Sequence, residues 1–136
     1  MRYLLLLALF ILSGCGARPV HTIPTPEDVA KLEFTVDKSL PLVQQAYSIE
    51  SEEVCEKNDG EWKRVGRQQK DSCVLTADDA GKSCKNNNEC QVACVAQHEP
   101  AVSGAKTLGV CLESTDLFGC RTYVANGVAE PTLCVD

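Results

Sequence analysis

The chain begins with a continuous apolar run, and polar and apolar positions are mixed in the rest of it. Every residue from Leu4 to Leu12 is apolar, and Arg2 gives the short end before the run a positive charge. As a helix, these nine residues would rise only about 14 Å, too short for a hydrocarbon core of about 30 Å. The pattern is typical of a signal peptide rather than of a transmembrane helix. We therefore predict that residues 1–14 form a signal peptide that is cleaved from the mature chain.

The run ends in Leu12-Ser13-Gly14-Cys15, where an apolar residue and two small residues precede a cysteine. This motif resembles the lipobox of bacterial lipoproteins, in which diacylglycerol alkylates the thiol and the small residues give the peptidase access. The resemblance implies two ester-linked acyl chains on Cys15 and often a third on its amine, which anchor a protein more stably than one chain. It also implies that Gly16, in place of an Asp that commonly retains lipoproteins at the inner membrane, favours the outer membrane of a source with two membranes. An ordinary signal peptide with an incidental cysteine is the alternative.

A proline-rich segment follows Cys15, and after it comes a segment with apolar residues at helical spacing. Residues 15–26 contain three prolines, which block regular structure and favour an extended spacer, so we predict a lipid-anchored tether. Thr25-Pro26 is typical of a helix start, and apolar residues recur at helical spacing within residues 27–54, the predicted helical segment. Asn58-Asp59-Gly60 indicates the stop. Because no cysteine lies in residues 16–54, we expect this part to be loosely attached.

Shorter alternating segments, typical of β strands, follow in the C-terminal part of the chain. The clearest of them are Gly60–Val65, Asp71–Leu75 and Gly109–Leu112. The first two can pair across a turn, and Trp62 is the candidate core residue of the first. Arg121–Ala129 predicts a hairpin, because Asn126-Gly127 between β-rich arms is a strong short-range turn pattern.

Cysteine is the dominant residue of this region. The chain has nine cysteines, and Cys15 stands apart in sequence from the other eight. An odd thiol in an exported protein needs an explanation, and lipid attachment to Cys15 would leave an even number. We predict four disulfides, with a pairing that the sequence leaves open, among Cys55, Cys73, Cys84, Cys90, Cys94, Cys111, Cys120 and Cys134. The predicted fold class is a small disulfide-rich, β-rich domain with long loops over residues 55–136, preceded by a short N-terminal helical segment.

Metal binding is the competing use of these residues. The most closely spaced cysteines are Cys84, Cys90 and Cys94. Cys94 and His98 could share a zinc ion if they lay on one helical face. An oxidising compartment and the lack of a Cys-x2-Cys pair favour disulfides instead. The oxygens of Asp78-Asp79 and Asn86–Glu89 could bind calcium, but such stretches mostly form turns. We predict no metal, and no cofactor apart from covalent diacylglycerol and N-acyl lipid on Cys15.

The cysteine spacing carries a second resemblance. The pattern Cys55-x4-Gly60-x-Trp62, then Cys73, then Asp79-Ala80-Gly81-Lys82-x-Cys84-x5-Cys90-x3-Cys94 resembles small cysteine-rich domains of exported proteobacterial proteins. This resemblance implies a class and a compartment, and it assigns neither an activity nor a functional residue. The spacing is also similar to that of knottins and other inhibitor scaffolds, a likeness that many small disulfide-rich domains share.

Charge and residue content exclude several classes of function. The chain has 13 Lys and Arg and 19 Asp and Glu. Arg2 is the one charged residue of residues 1–14, so their removal leaves the mature chain with a formal net charge of 12 − 19 = −7. This acidic balance argues against nucleic acid as a partner and against a polybasic membrane contact. The two histidines are His21, in the predicted tether, and His98. No serine-hydrolase motif and no phosphate-binding glycine loop is present, so we predict that the protein is not an enzyme.

Three hypotheses of function remain. The favoured one is an outer-membrane lipoprotein that serves as a non-enzymatic binding or structural module, with the membrane and an envelope protein or glycan as partners. The second is a disulfide-linked inhibitor of a protease or muramidase, which would present the cysteine-free run Val95–Val110 with its polar tip Gln97–Pro100. The third is an envelope hydrolase that uses His98 and a carboxylate.

Overall fold

A computed structural model describes residues 35–136. The predicted signal peptide, the predicted lipidation site Cys15, the predicted tether and the predicted helix start at Thr25-Pro26 lie outside these residues. Within them, two helices precede the strands: α1, Leu42–Ser48, and α2, Glu52–Lys57. No helix of this part is long and apolar enough to cross a bilayer. The strands are β1 (Glu61–Val65), β2 (Lys70–Val74), β3 (Ser83–Cys84), β4 (Cys94–Ala96), β5 (Gly109–Cys111), β6 (Gly119–Arg121), β7 (Val124–Ala125), β8 (Val128–Ala129) and β9 (Leu133–Val135).

The two helices are separated by a short extended break. α1 follows Pro41 and ends where Ile49 takes an extended conformation. Ser51 then caps α2, because its hydroxyl accepts a hydrogen bond from the backbone N–H of Val54 at 3.4 Å. Asp59 takes a positive φ of 58° just beyond the last turn, at the predicted stop.

A first core cluster joins the helical segment to the hairpin that follows it. Its buried members are Val36, Ala46, Ile49, Cys55, Cys73 and Leu75. Trp62, predicted as a core residue, is partly buried and packs against the edge of this cluster. The expectation of loose attachment is wrong for residues 36–49, because burial of apolar side chains holds this segment without a disulfide.

Strands β1 and β2 form the hairpin predicted from their alternation. The register runs from Glu61 opposite Val74 to Val65 opposite Lys70. Gly66 begins the connecting turn with φ of 66°, and a side chain there would collide with the ring of Phe118. This hairpin therefore needs glycine at its turn both for conformation and for packing.

The second half of the domain is built on a three-stranded antiparallel sheet with the order β3-β5-β4. Gly109 lies opposite Cys84 on one side and Ala96 on the other, and Cys94 lies opposite Cys111. A second core cluster forms around this sheet from Cys84, Cys94, Ala96, Cys111 and Val124. Strand β5, predicted from its sequence, is thus the centre of the sheet.

The hairpin predicted at Asn126-Gly127 is confirmed. Strands β7 and β8 pair around it, and positive φ angles of 53° at Asn126 and 72° at Gly127 are those of a type I′ turn. The arms are shorter than predicted, because Arg121 belongs to β6. That strand pairs with β9, where Arg121 lies opposite Leu133.

The eight cysteines of residues 35–136 form four disulfides, as predicted. The pairs are Cys55–Cys73, Cys84–Cys94, Cys90–Cys111 and Cys120–Cys134. The fold class is also confirmed, since the structure is a small β-rich, disulfide-linked domain with two short helices before its strands.

Candidate functional site

The connection between β4 and β5, residues 97–108, forms a loop that we call the outer loop. Its base is closed by a hydrogen bond from the backbone N–H of Gln97 to the carbonyl of Leu108 at 2.9 Å. The side chain of Glu99 fixes the loop to the rest of the domain, because its carboxylate accepts a hydrogen bond from the backbone N–H of Thr122 at 2.6 Å. Thr122 is fully buried, so Glu99 satisfies a donor that water cannot reach.

The returning arm of the outer loop lies along β8 as an additional strand. The N–H of Gly104 donates to the carbonyl of Ala129 at 2.8 Å, and the N–H of Ala129 donates to the carbonyl of Ala105 at 2.9 Å. Farther along, the N–H of Thr107 donates to the carbonyl of Gly127 at 3.0 Å. The loop is therefore fixed to the β7–β8 hairpin, although it contains no cysteine.

The projecting tip of the outer loop presents apolar side chains. Val102 is 77% exposed, and Leu108, near the base, is 68% exposed. Ala101 packs against the second core cluster, while the N–H of Ala105 donates to the carbonyl of Val102 at 3.0 Å to close a turn. Gln97–Pro100 are exposed, as the sequence indicated, and the most exposed large apolar residue of the loop, Val102, lies just beyond them.

A cleft of about 540 Å³ is lined by residues of β1, β4, β5 and β6 and of the segment between β5 and β6. Apolar residues and charges of both signs line it, among them Lys63, Val110, Leu112, Asp116, Phe118 and Arg121. Lys63 is paired with two carboxylates, at 3.3 Å to Asp116 and 3.5 Å to Glu61. Its charge is thus compensated within the protein.

The pKa of Lys63 reflects this pairing. Partial burial lowers the pKa, but the hydrogen bond to Asp116 and the negative charges of Glu61 and Asp116 outweigh burial. The pKa of Lys63 consequently lies above its ordinary value of 10.5. Lys63 is a charged structural residue at neutral pH, not a proton donor or acceptor.

Arg121 is the cation of the cleft that pairs with no carboxylate of residues 35–136. Its Nε atom is buried and has no hydrogen-bond partner in this part of the chain. The planar guanidinium group suits the binding of anions. The cleft therefore offers a polar ligand one uncompensated cation beside the apolar surface of Phe118 and Leu112.

Two disulfides lie side by side beneath the outer loop. We call the four cysteines Cys84, Cys90, Cys94 and Cys111 the double-bridge cluster. The sulfur atoms of its first three members lie within 4.8 Å of one another. Gly109 makes room for it, because a side chain there would collide with the sulfur of Cys94. Strands β3, β4 and β5 bring three of these cysteines together from distant parts of the sequence.

His98 lies outside this cluster, which corrects the zinc arrangement weighed from the sequence. Cys94 belongs to β4, so Cys94 and His98 do not share a helical face. His98 is exposed on the outer loop. The hydrolase hypothesis, which also depends on this residue, gains no buried or enclosed catalytic position from it.

The Asp- and Asn-rich segment considered for calcium forms hydrogen-bonded turns. The Asp79 carboxylate accepts from the backbone N–H of Gln91 at 2.9 Å, and Asn87 accepts from the N–H of Cys94 at 2.8 Å. Glu89 accepts from the N–H of Lys85 at 3.2 Å. These oxygens hold the loop around Cys90 and satisfy backbone donors, which is the usual role of such residues in turns.

Comparison with known proteins identifies no relative. No protein-family model, no curated protein and no solved structure matches this chain. Any assignment of function must therefore come from the residues themselves.

Sequence reasoning missed three features of the candidate site. They are the exposed Val102, the Lys63–Asp116 ion pair and Arg121, which has no carboxylate partner among residues 35–136. Each depends on contacts between segments far apart in sequence. The only local indication of an apolar contact position was Val102 itself, which lies between Ala101 and Ser103 just after the polar residues Gln97–Pro100.

Proposed function

We propose that this protein is a lipid-anchored, non-enzymatic binding module of the bacterial cell envelope, with the outer loop as its contact surface. Cys15 carries the lipid, the proline-rich residues 15–26 hold the domain away from the outer membrane, and the disulfide-linked domain presents the loop. The lipobox resemblance and Gly16 support the location.

The observation that carries the proposal is the exposed Val102 on a loop held by hydrogen bonds along both arms. An apolar side chain that is 77% exposed can be buried by a partner, which makes contact favourable. The loop loses little conformational freedom on binding, because Glu99 and the arm along β8 already fix it.

Within the proposal, an envelope protein is a better partner than a glycan. The outer loop contains no aromatic residue. Val102 and Leu108 instead offer aliphatic surface, which fits a pocket in a protein.

Site-specific photocrosslinking in native envelopes tests the proposal. A photoreactive amino acid replaces Val102 in the anchored full-length protein, and adducts are identified by mass. The matched control places the same amino acid at Tyr47, which is also exposed, at 64%, but lies on α1. We expect a discrete protein adduct from position 102 and none from position 47.

Two further variants sharpen the result. Val102→Asp, combined with a photoreactive group at Leu108, should reduce the adduct, whereas Tyr47→Asp should not. Cys15→Ser should reduce it because the protein no longer concentrates at the membrane. Equal labelling from positions 102 and 47 would contradict the proposal.

Inhibition of a protease is the second candidate function. One observation favours it: Val102 projects between the small residues Ala101 and Ser103 on a fixed loop, as a substrate-like side chain would. Another opposes it, because the Val102 carbonyl already accepts a hydrogen bond from Ala105 at 3.0 Å. A protease would need that oxygen for its oxyanion hole.

The two candidates separate in an enzyme assay. The purified full chain is tested against serine proteases whose primary pockets accept small apolar, aromatic or basic side chains, and against muramidases. If the protein is an inhibitor, it should slow only the proteases whose primary pocket accepts small apolar side chains. Val102→Arg should then shift inhibition to the proteases whose primary pocket accepts basic side chains. No slowing of any enzyme removes this candidate and leaves the binding proposal in place.

A further inference from the structure

We propose that the double-bridge cluster becomes a tetrahedral zinc site when its two disulfides are reduced. The ligands are the four sulfurs of Cys84, Cys90, Cys94 and Cys111. The inference is independent of the proposed binding function, since it concerns the reduced state of these four cysteines and not the exposed side chains of the outer loop.

The geometry of the cluster carries the proposal. Sulfur atoms of Cys84, Cys90 and Cys94 lie within 4.8 Å of one another, and Cys111 is bonded to Cys90. In a tetrahedral site with Zn–S distances of about 2.3 Å, sulfur atoms are about 3.8 Å apart. The two bonded pairs must therefore open, and Cys111, which lies near Cys90 but outside the group of three, must move toward Cys84 and Cys94. Shifts of the side chains on β3, β4 and β5 and of Cys90, which lies before β4, would supply these changes.

A buried oxygen of the half-buried Asp79 is the second observation. One oxygen of Asp79 lies within 4.8 Å of the sulfurs of Cys90 and Cys111. Its Oδ1 atom is buried without a hydrogen-bond partner in residues 35–136, although Oδ2 accepts from Gln91. A buried acceptor without a donor is unfavourable. A thiol proton on either neighbouring cysteine would satisfy it, and its negative charge favours a divalent cation nearby.

The solvent exposure of each cysteine in the cluster determines which sulfur a reductant attacks first. Cys90 is partly exposed, whereas Cys84, Cys94 and Cys111 are buried. A dithiol reductant therefore attacks the sulfur of Cys90 first and releases Cys111 as a thiolate. The second thiol of the reductant then displaces Cys90 and leaves with its own disulfide. Because Cys90 is close to the Cys84–Cys94 bridge, its thiolate can attack that bridge in turn.

Two dithiol molecules supply all the electrons and protons that reduction of the two disulfides requires. Each protein disulfide takes up two electrons and two protons, and each dithiol is oxidised to a disulfide. Four thiols result, and binding of one Zn²⁺ releases their four protons to solvent. Four thiolates in a tetrahedral arrangement are the ligand set that zinc prefers in structural sites.

Metal titration with mapping of the protected cysteines tests the proposal. The full anchored chain in detergent is reduced with a phosphine, which takes oxygen from one water for each disulfide opened. One equivalent of Zn²⁺ is added, cysteines are alkylated briefly, and the modified positions are read from peptide masses. We expect several-fold slower alkylation of the double-bridge cluster, with Cys120 and Cys134 alkylated as fast as without zinc.

The absorption spectrum of bound Co²⁺ provides a second measurement. It should be that of a tetrahedral tetrathiolate at one equivalent. The double variant Cys90→Ser, Cys111→Ser should lose this spectrum, and Cys120→Ser, Cys134→Ser should keep it. Protection spread evenly over the eight cysteines, protection of another set, or no protection at all would overturn the proposal.

Discussion

Gly109 lets strand β5 lie directly against two disulfides. A Cβ atom there would collide with the sulfur of Cys94 and lie 2.8 Å from the carbonyl oxygen of Cys84. Neither neighbour can move freely, because one is in a disulfide and the other belongs to the backbone of β3. The single missing methyl group thus fixes how closely the three strands can pack.

Gly109→Ala should therefore destabilise the domain. Overpacking of this kind costs about 1–3 kcal/mol, and for a domain of this size each kcal/mol lowers the midpoint of thermal unfolding by about 4–8 °C. Differential scanning calorimetry of the oxidised protein measures the shift. Ser103→Ala, an exposed substitution on the outer loop, is the control and should leave the midpoint unchanged. An unchanged midpoint for Gly109→Ala would show that β5 is not packed as described.

The ion pair at Lys63 gives a prediction for pH. Asp116→Asn removes one of the two negative charges that raise the pKa of Lys63 above 10.5 and leaves at most a neutral hydrogen-bond acceptor there, so this pKa should fall. Titration of the Lys63 side chain by NMR measures it. Since the folded-state pKa is raised, the stabilisation by this pair is complete below about pH 10.5 and is lost as pH rises through the folded value.

Asp71→Asn is the control for this titration. Asp71 pairs with Arg64 at 3.6 Å on the exposed side of the same hairpin and does not contact Lys63. The pKa of Lys63 should be the same in this variant as in the unmodified protein. If Asp116→Asn also left it unchanged, the pairing at 3.3 Å would not exist in solution.

At the scale of elements, short strands are held by partners from distant parts of the sequence. The outer loop depends on Thr122 and on β8, and the helices depend on the β1–β2 hairpin. Each element alone is too short to be stable, so the contacts between elements determine which conformation it adopts.

Glu99→Ala should loosen the outer loop. It leaves the buried N–H of Thr122 without its acceptor, at a cost of about 1–3 kcal/mol. Hydrogen exchange of the Thr122 amide and of the loop amides should accelerate, while that of the β1–β2 hairpin should not. Glu130→Ala removes an exposed carboxylate nearby and should change neither. Slow exchange at Thr122 in Glu99→Ala would indicate that the side chain does not hold the loop.

Local patterns predicted the elements well but not their assembly. The Asn126-Gly127 turn and the alternation of residue types in Glu61–Val65 were sufficient to predict a turn and a strand, because both patterns are encoded within a few residues. The observed burial along β1 does not itself alternate. The pairing of β6 with β9 and the exposure of Val102 were not predictable in this way. Both result from long-range contacts, which residue spacing along a single sequence does not specify.

At the scale of the whole molecule, two core clusters and four disulfides share the stabilisation. The Cys55–Cys73 bridge is buried in the first core cluster, whereas Cys120 and Cys134 are exposed. Their sequence separations are similar, 18 and 14, so the two bridges restrict the unfolded chain to nearly the same extent. What distinguishes them is the packing that each one supports in the folded state.

Removing these bridges one at a time should give unequal losses. Loss of a native disulfide in a small domain costs about 2–5 kcal/mol. Cys55→Ala with Cys73→Ala should lie at the upper end, because it also leaves a cavity in the core. Cys120→Ala with Cys134→Ala should lie at the lower end. Unfolding in guanidinium chloride measures both, and equal losses would mean that burial of the first bridge contributes nothing.

The proposed function requires that a lipid anchor on Cys15 carry a fully oxidised domain with eight disulfide-bonded cysteines. Intact mass spectrometry tests it most directly, on protein extracted from membranes and alkylated without reduction. The account predicts a chain that begins at Cys15, carries diacylglycerol and acyl mass, and contains no alkylated thiol. An unlipidated chain, or one with alkylated cysteines among Cys55 to Cys134, would contradict it.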